Sequence, residues 1–185
     1  MSTDARVSPQ PTPLALVQDG MKQVMRVFPQ GVTVVAMMTP EGPRGVTVSA
    51  FTSISLNPPL VLVSLSKASR LHPHLAQSSG FSINLLADDQ RSVSMRFAGM
   101  DEAADRFKGI DFTPGKTGAP IIRGVRAVVE CKTWRVYDGG DHSIFIGEAV
   151  AAQKLNDKPP LVFYQQQYTT TEKREPIPQP PETMW

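Results

Sequence analysis

Two long apolar segments joined by a tight-turn sequence constrain the fold of this chain more than any other feature. The segments cover residues 125–137 and 142–153, and the residues between them read Asp-Gly-Gly-Asp. β-Branched and aromatic residues favour strands, and glycine with aspartate between two such runs is a strong signal for a β-hairpin. The sequence therefore predicts a long antiparallel hairpin late in the domain.

Further strands and a few helices are predicted before and after this hairpin. Apolar, β-branched runs predict strands at residues 31–38, 58–66, 80–87 and 161–165. Helices are predicted at residues 16–28, 70–78 and 88–99. Strands that are mostly hairpin-connected, with few helices, are typical of a small Greek-key barrel with helices packed outside.

The helix predicted at residues 16–28 has one apolar face. Its apolar residues recur at spacings of three and four, which places them on one side of a helix. They are Leu16, Val17, Met21, Val24, Met25 and Phe28, and Pro29 and Gly31 end the helix.

Length and composition bound the class of protein. The 185 residues suit one domain, which we expect at 16–168 between a flexible segment (1–15) and a proline-rich tail (169–185). A net charge of +2 provides no general attraction for nucleic acid, and no apolar run is long enough for a membrane helix. The first residues do not read as a secretory signal, so we expect a cytoplasmic protein. The lone Cys131 excludes an internal disulfide, and no ligand cluster indicates a metal site.

A run of hydroxyl side chains at residues 47–55 is the first feature that indicates a binding site. The run reads Thr-Val-Ser-Ala-Phe-Thr-Ser-Ile-Ser, and in a single strand its odd-numbered positions would share one face. One interpretation is a solvent-facing strand edge, because Ser and Thr are mostly exposed. The other is a polar rim that offers hydroxyl and backbone N–H groups to a flat heteroaromatic ligand.

Two shorter features carry charge. Residues 66–70, Ser-Lys-Ala-Ser-Arg, precede a predicted short helix. Cations and free N–H groups at a helix start suit a phosphate, although an ordinary surface loop has the same composition. His142 begins a strand after the tight turn, where it is either a functional side chain on a rigid element or a cap of the hairpin through Asp141.

Together these features resemble the flavin reductase-like family, whose fold is an FMN-binding split barrel. The resemblance covers roughly residues 18–168, with separated motifs in the correct order. The motifs are FPQGVTVVA (28–36), GVTVSAFTSISLNPPLVLVSLSKASR (45–70), FSINLLADDQRSVSMRFAG (81–99), GAPII (118–122), AVVECKTWRVYDGGDHSIFIGEAV (127–150) and LVFYQQQY (161–168). The resemblance implies a mainly β, split antiparallel barrel of Greek-key type with peripheral helices.

The resemblance also implies a site. The flavin ring and ribityl chain would be held by Thr47, Val48, Ser49, Ala50, Phe51 and Ser53. The flavin phosphate would bind Lys67, Ser69 and Arg70, and Phe97 would line the flavin pocket. His142 would be the catalytic residue beside the nicotinamide, with Tyr168 close to the same pocket.

The activity implied by the resemblance is NAD(P)H-dependent reduction of FMN or FAD, with reduced flavin passing to a partner monooxygenase. The family also implies a homodimer with its sites near the subunit interface. Two alternatives stay open. One is a flavoprotein that retains its flavin and reduces another acceptor, and the other is a non-catalytic flavin-binding or electron-transfer module. The sequence leaves FMN against FAD and NADH against NADPH undecided.

Overall fold

A computed structural model of the chain describes residues 12–100 and 105–172. The helices are α1 (Pro13–Arg26), α2 (His72–Gln77) and α3 (Arg91–Phe97), and a 3₁₀ turn (Asp88–Gln90) precedes α3. The strands are β1 (Gln30–Gly31), β2 (Thr33–Thr39), β3 (Gly42–Val48), β4 (Phe51–Leu56), β5 (Pro59–Ser66), β6 (Gly80–Leu85), β7 (Phe112–Pro114), β8 (Pro120–Ile122), β9 (Ala127–Gly139), β10 (His142–Lys154), β11 (Val162–Tyr164) and β12 (Gln167–Thr169). The predicted terminal segments 1–15 and 169–185 lie mostly outside the described residues.

Seven of the strands form one antiparallel sheet in the order β3-β2-β6-β9-β10-β5-β4. Its centre is the predicted hairpin, in which His142 pairs with Gly139 at the turn and Lys154 pairs with Ala127 at the far end. Register shifts between Ile146 and Gly147, and again after Ala149, bend β10 and increase its twist. The predicted antiparallel, mainly β architecture is therefore confirmed.

The sheet separates two apolar cores, and β2 contributes to both of them. Val35 and Met37 face a core that includes Phe81, Phe145 and Leu75 of α2. The alternate residues of β2 face a second core formed with α3 and the connections around it, which contains Val34, Ala36, Leu86, Phe97, Phe107, Ile122, Val125 and Leu161. Because β2 is buried on both faces, its sequence reads as an unbroken apolar run.

Cys131 lies in the first core, where the sheet bends most sharply. Its side chain is fully buried, and burial raises the pKa of the thiol to about 12. Gly147 faces it across the sheet, and a Cβ atom at Gly147 would lie 2.7 Å from both Cys131 Cβ and Phe81 Cζ. The close approach of the two strands at this bend therefore requires glycine.

The hydroxyl-rich run 47–55 is not the single strand that its alternation suggested. β3 ends at Val48 and β4 begins at Phe51, so Ser49 and Ala50 form a break between them. β3 pairs with β2, whereas β4 pairs with β5, and the two therefore belong to opposite ends of the sheet. The expectation that residues 47–55 present one continuous face is wrong, because the chain changes its pairing partner within the run.

The predicted first helix is present as α1, but its apolar face does not pack on the domain. Thr12 caps the helix by accepting a hydrogen bond from Ala15 N–H (3.2 Å). None of the helix residues is buried, and Val17, Met21 and Val24 are 65–68% exposed. Within a single chain this face is open to solvent. No helix among the described residues has the length and apolar character needed to span a membrane.

Candidate functional site

The last residues of β5 bring the three features noted in the sequence to one place. Ser64 N–H donates to Ala50 O (3.0 Å), which holds the break between β3 and β4 against β5. Two residues later, Ser66 ends β5 and pairs with His142 at the start of β10. The hydroxyl-rich run, the basic loop and the histidine are therefore neighbours, although they lie far apart in the sequence.

Two of the predicted flavin-binding residues, Thr47 and Val48, are held firmly in the protein. Thr47 Oγ1 donates to Ser94 O of α3 (2.7 Å). Val48 is buried in the first core, and its carbonyl accepts from Thr33 Oγ1 (2.7 Å). These contacts fix the end of β3, so the break that follows has a rigid base.

The break itself is open to solvent. Ala50 and Ser53 are exposed, Ser49 is half-buried, and Phe51 packs its half-buried ring on the first core. Within the part of the chain that the structure describes, neither the Ser49 nor the Ser53 hydroxyl has a hydrogen-bond partner. This short segment therefore presents accessible hydroxyl groups beside an aromatic ring.

The basic loop, residues 66–71, is a compact turn that leads into α2. Ser69 N–H donates to Ser66 O (2.9 Å), and the Ser69 hydroxyl accepts from Leu71 N–H (3.3 Å). Lys67 is tied to the β9–β10 turn twice: its N–H donates to Asp141 O (3.0 Å), and its ammonium group contacts Asp138 Oδ2 (2.5 Å). The loop and the turn before His142 are thus directly connected.

Arg70 does not share the surroundings of Lys67. It is exposed at a cavity of about 570 Å³ whose charged lining residues are Arg44, Arg70, His74 and Arg106, with Glu41 and Asp105. The Arg106 guanidinium donates to Phe97 O (2.8 Å), and its burial together with the charge of Arg70 lowers the pKa of Arg106. Two guanidinium groups so close together attract an anion.

Sequence reasoning did not find the basic partners of Arg70. Arg44 belongs to a segment predicted as a turn and lies on β3, and Arg106 follows the undescribed residues 101–104. No local motif joins these positions, because only the tertiary fold brings them to the same cavity.

His142 is held at one ring nitrogen and open at the other. Nδ1 lies 2.7 Å from Asp141 Oδ1, and this contact lowers the pKa of Asp141. The imidazole side chain is 42% exposed, and Nε2 has no hydrogen-bond partner within the described residues. A neighbouring histidine, His72, contacts Ser143 Oγ through Nε2 (2.9 Å) and so fastens α2 to β10.

The two aromatic residues predicted at the site differ in exposure. Phe97 is fully buried, packs edge-on against Phe107 and supports β3 at Gly45, where a Cβ atom would lie 2.9 Å from the Phe97 ring. Tyr168 on β12 is half-buried, and its hydroxyl lies 2.9 Å from Ser94 Oγ. Ser94 therefore contacts both Thr47 and Tyr168. A direct contact of Phe97 with flavin stays a prediction.

A second cavity lies beside Tyr168. It has a volume of about 770 Å³ and lies between α1, α3 and the β11–β12 hairpin. Its apolar wall includes Met25, Phe28, Met95, Phe163 and Tyr168. The Arg91 guanidinium lies 5.4 Å from the centre of the Tyr168 ring and adds a positive charge at this wall. The sequence contained no local signal for this cavity.

The fold and the order of its strands define a protein of the split β-barrel class. The flavin reductase like domain matches residues 25–172. The chain belongs to the flavin reductase-like family, as its sequence motifs had indicated.

Individual relatives support the same assignment. The reductase subunit HsaB of a flavin-dependent monooxygenase from Rhodococcus jostii is 36% identical over 159 residues, which cover 86% of this chain and 80% of that protein. The FMN reductase (NADH) SmoA from Agrobacterium fabrum is 41% identical over 142 residues, covering 77% and 79%.

Solved structures with the same architecture carry related names. Nitrilotriacetate monooxygenase component B from Mycobacterium thermoresistibile superposes with a TM-score of 0.85 at 33% identity, covering 92% of this chain and 96% of that one. The NADH:FAD oxidoreductase SgcE6 from Streptomyces globisporus superposes with a TM-score of 0.80 at 34% identity, covering 91% and 100%. The predicted split barrel is confirmed.

Proposed function

We propose that this chain is an NAD(P)H-dependent flavin reductase that supplies reduced FMN or FAD to a partner monooxygenase. The observation that carries the proposal is the meeting of residues 49–53, residues 66–70 and His142 at the end of β5. The names of the relatives agree, since they include a monooxygenase reductase subunit and an NADH-dependent FMN reductase.

The residues at this place fit a flavin. A flavin has a flat apolar ring with polar edges, and residues 49–53 offer exposed hydroxyl and backbone groups beside Phe51. Its phosphate needs hydrogen-bond donors and positive charge, which the 66–70 loop and the neighbouring basic cavity provide. In the proposal, Thr47 to Phe51 and Ser53 hold the ring and ribityl chain, and Lys67, Ser69 and Arg70 hold the phosphate. Phe97 shapes the pocket from beneath β3.

His142 and Tyr168 serve the nicotinamide in this proposal. The two bound cofactors supply the redox chemistry, a hydride transfer from nicotinamide to flavin. The protein then contributes positioning and electrostatics. Asp141 holds the His142 ring at Nδ1, which leaves Nε2 to orient the carboxamide or to stabilise negative charge. Ser94 holds the Tyr168 hydroxyl and thereby sets the ring position.

The openness of the site favours a flavin that comes and goes. Ala50 and Ser53 are exposed, and so are Lys67 and Arg70, so solvent reaches both the ring and the phosphate regions. A reductase that delivers reduced flavin to another enzyme must release it. An exposed site with moderate affinity serves that task better than an enclosed one.

A homodimer is the second part of the proposal. The apolar face of α1, represented by Val17, Met21 and Val24, is exposed in the single chain. Contiguous exposed apolar surface marks interaction sites, and burying it is favourable by roughly 25 cal/mol per Å². A second copy of the chain would cover this face. Sedimentation at micromolar concentration tests the point: a dimer is expected, and a monomer would contradict it.

A cytoplasmic location is also part of the proposal, because the activity draws on the NAD(P)H and flavin pools of the cytoplasm. Exchange with the monooxygenase is transient, since reduced flavin diffuses between the two proteins. No role for nucleic acid or a membrane enters the proposal.

One assay separates the proposed function from its alternatives. The absorbance of NADH and of NADPH is followed with and without added FMN or FAD. A flavin reductase oxidises the nucleotide only when flavin is added in substrate amounts. A protein that retains its flavin would purify yellow and need a different acceptor, and a binding module would bind flavin yet oxidise neither nucleotide.

A further inference from the structure

Lys67 has an acidic partner at the site where it would meet the flavin phosphate. Its ammonium group lies 2.5 Å from Asp138 Oδ2. Asp138 Oδ1 also accepts from Gly140 N–H (3.0 Å), which fixes the carboxylate within the β9–β10 turn. Hydrogen bonds from Lys67 and from Gly140 lower the pKa of Asp138, so this carboxyl group is ionised at neutral pH. A fixed negative charge therefore stands beside the proposed phosphate loop.

We propose that Asp138 competes with the flavin phosphate for Lys67 and so sets the flavin affinity low enough for reduced flavin to leave. This inference rests on the proposed function, because it concerns the phosphate end of the same site. Its subject is a specificity-determining residue that the motifs of the sequence did not reveal.

The competition follows from charge. A phosphate monoester carries a charge of about −1.5 to −2 at neutral pH. When it approaches Lys67, the ammonium group either leaves Asp138 or bridges the two anions. In the first case the Lys67–Asp138 contact is lost, and in the second the phosphate and the carboxylate repel each other. Both outcomes weaken the binding of a phosphorylated flavin and leave riboflavin unaffected.

The position of Asp138 extends the effect to the nicotinamide side. Asp138 lies in the turn that ends in His142, and the main chain of that turn also holds the loop through Lys67 N–H and Asp141 O (3.0 Å). The main-chain contact stays in place when the Lys67 side chain changes partner. The loop is therefore kept in register with His142 while its charge is shared between two anions.

The test compares FMN with riboflavin, which lacks the phosphate. In D138N the amide oxygen still accepts from Gly140 N–H, while the negative charge is removed. We expect the Kd for FMN to fall about three- to fivefold at low salt, the size expected for exposed charge pairs, and the Kd for riboflavin to change by less than about 1.5-fold. The gain for FMN should disappear at high salt, because exposed charges are screened.

A matched control comes from the far end of the same strand. Asp157 pairs with Lys154 at the end of β10, so D157N removes the same charge from a similar exposed ion pair. This variant should leave both Kd values unchanged. In a K67M background, which has lost the shared ammonium group, D138N should tighten FMN binding less than it does in the wild type.

The outcomes separate this inference from the proposed function. If the wild type reduces flavin but D138N binds FMN no more tightly, or gains equally for riboflavin, the competition is wrong and the reductase assignment stands. If the wild type neither binds FMN nor oxidises NADH in its presence, the proposed function is wrong and this inference fails with it. Equal tightening in D138N and D157N would show a general charge effect and would also overturn the competition.

Discussion

Replacing His142 with alanine separates a functional histidine from a hairpin cap. The structure gives its ring one hydrogen-bond partner, Asp141, and leaves 42% of the side chain exposed. An exposed contact of this kind contributes little to stability. If His142 serves the hydride step, its loss removes one hydrogen bond to a nicotinamide or flavin group. We expect turnover to fall, or the KM for NAD(P)H to rise, by about tenfold or more, which is roughly 1.4 kcal/mol of transition-state stabilisation.

Three measurements on the variant H142A are needed. Stopped-flow absorbance gives the rate of flavin reduction, and fluorescence titration gives the Kd for flavin, which should stay within about twofold of the wild type. Thermal unfolding should shift by no more than about 2 °C, because the lost contact is exposed. Hydride transfer and nucleotide affinity at wild-type values, together with a clear drop in Tm, would refute the reasoning and leave His142 as a cap.

His72 provides the contrasting control. Its ring is half-buried, contacts Ser143 Oγ and packs edge-on against Phe145 with 5.6 Å between ring centres. H72A should therefore lower stability by about 1–3 kcal/mol through the lost packing and hydrogen bond. The two histidines should thus show opposite patterns, with H142A losing rate and H72A losing stability.

Further variants test the other parts of the account. R70A should weaken FMN binding in a salt-dependent way and leave riboflavin binding unchanged, which titrations at two salt concentrations will show; equal losses for both ligands would contradict phosphate binding. G147A should destabilise the fold by about 1–3 kcal/mol in urea unfolding, because its Cβ would overlap the sheet core, and an unchanged midpoint would contradict that packing. The Cys131 thiol should resist alkylation at pH 8 in the folded protein and react in urea; because the folded chain keeps its proton up to about pH 12, stability should fall as pH rises above the ordinary thiol pKa, and rapid alkylation of the native protein would argue against burial. M21E should dissociate the proposed dimer in sedimentation without unfolding the monomer, and an intact dimer would place the interface elsewhere.

The long hairpin was predictable because its signals are local. The Asp-Gly-Gly-Asp turn and the β-branched runs on both sides specify the pairing that β9 and β10 adopt. The apolar stretch of β2 also marked a strand correctly, since burial on both faces leaves no other reading of its composition. Family motifs then led to the site region, because they reflect a whole fold and not one local pattern.

The parts that the sequence did not predict depend on tertiary contacts. The break at Ser49 and Ala50 lies inside a run with continuous strand propensity and arises because β3 and β4 pair with different neighbours. The helix pattern of α1 identified an apolar face, but periodicity does not reveal whether that face covers its own domain. Arg44 and Arg106 meet Arg70 only in the folded chain, and the same is true of Asp138 and Lys67.

The central claim is that the protein reduces flavin catalytically and releases it. The most direct test is an anaerobic titration in which a small amount of protein is mixed with excess NADH and excess FMN, and the bleaching of flavin absorbance is recorded. The account predicts that many equivalents of FMN per protein are reduced, at a rate proportional to protein concentration. Bleaching that stops at one equivalent or fails to begin would contradict the account.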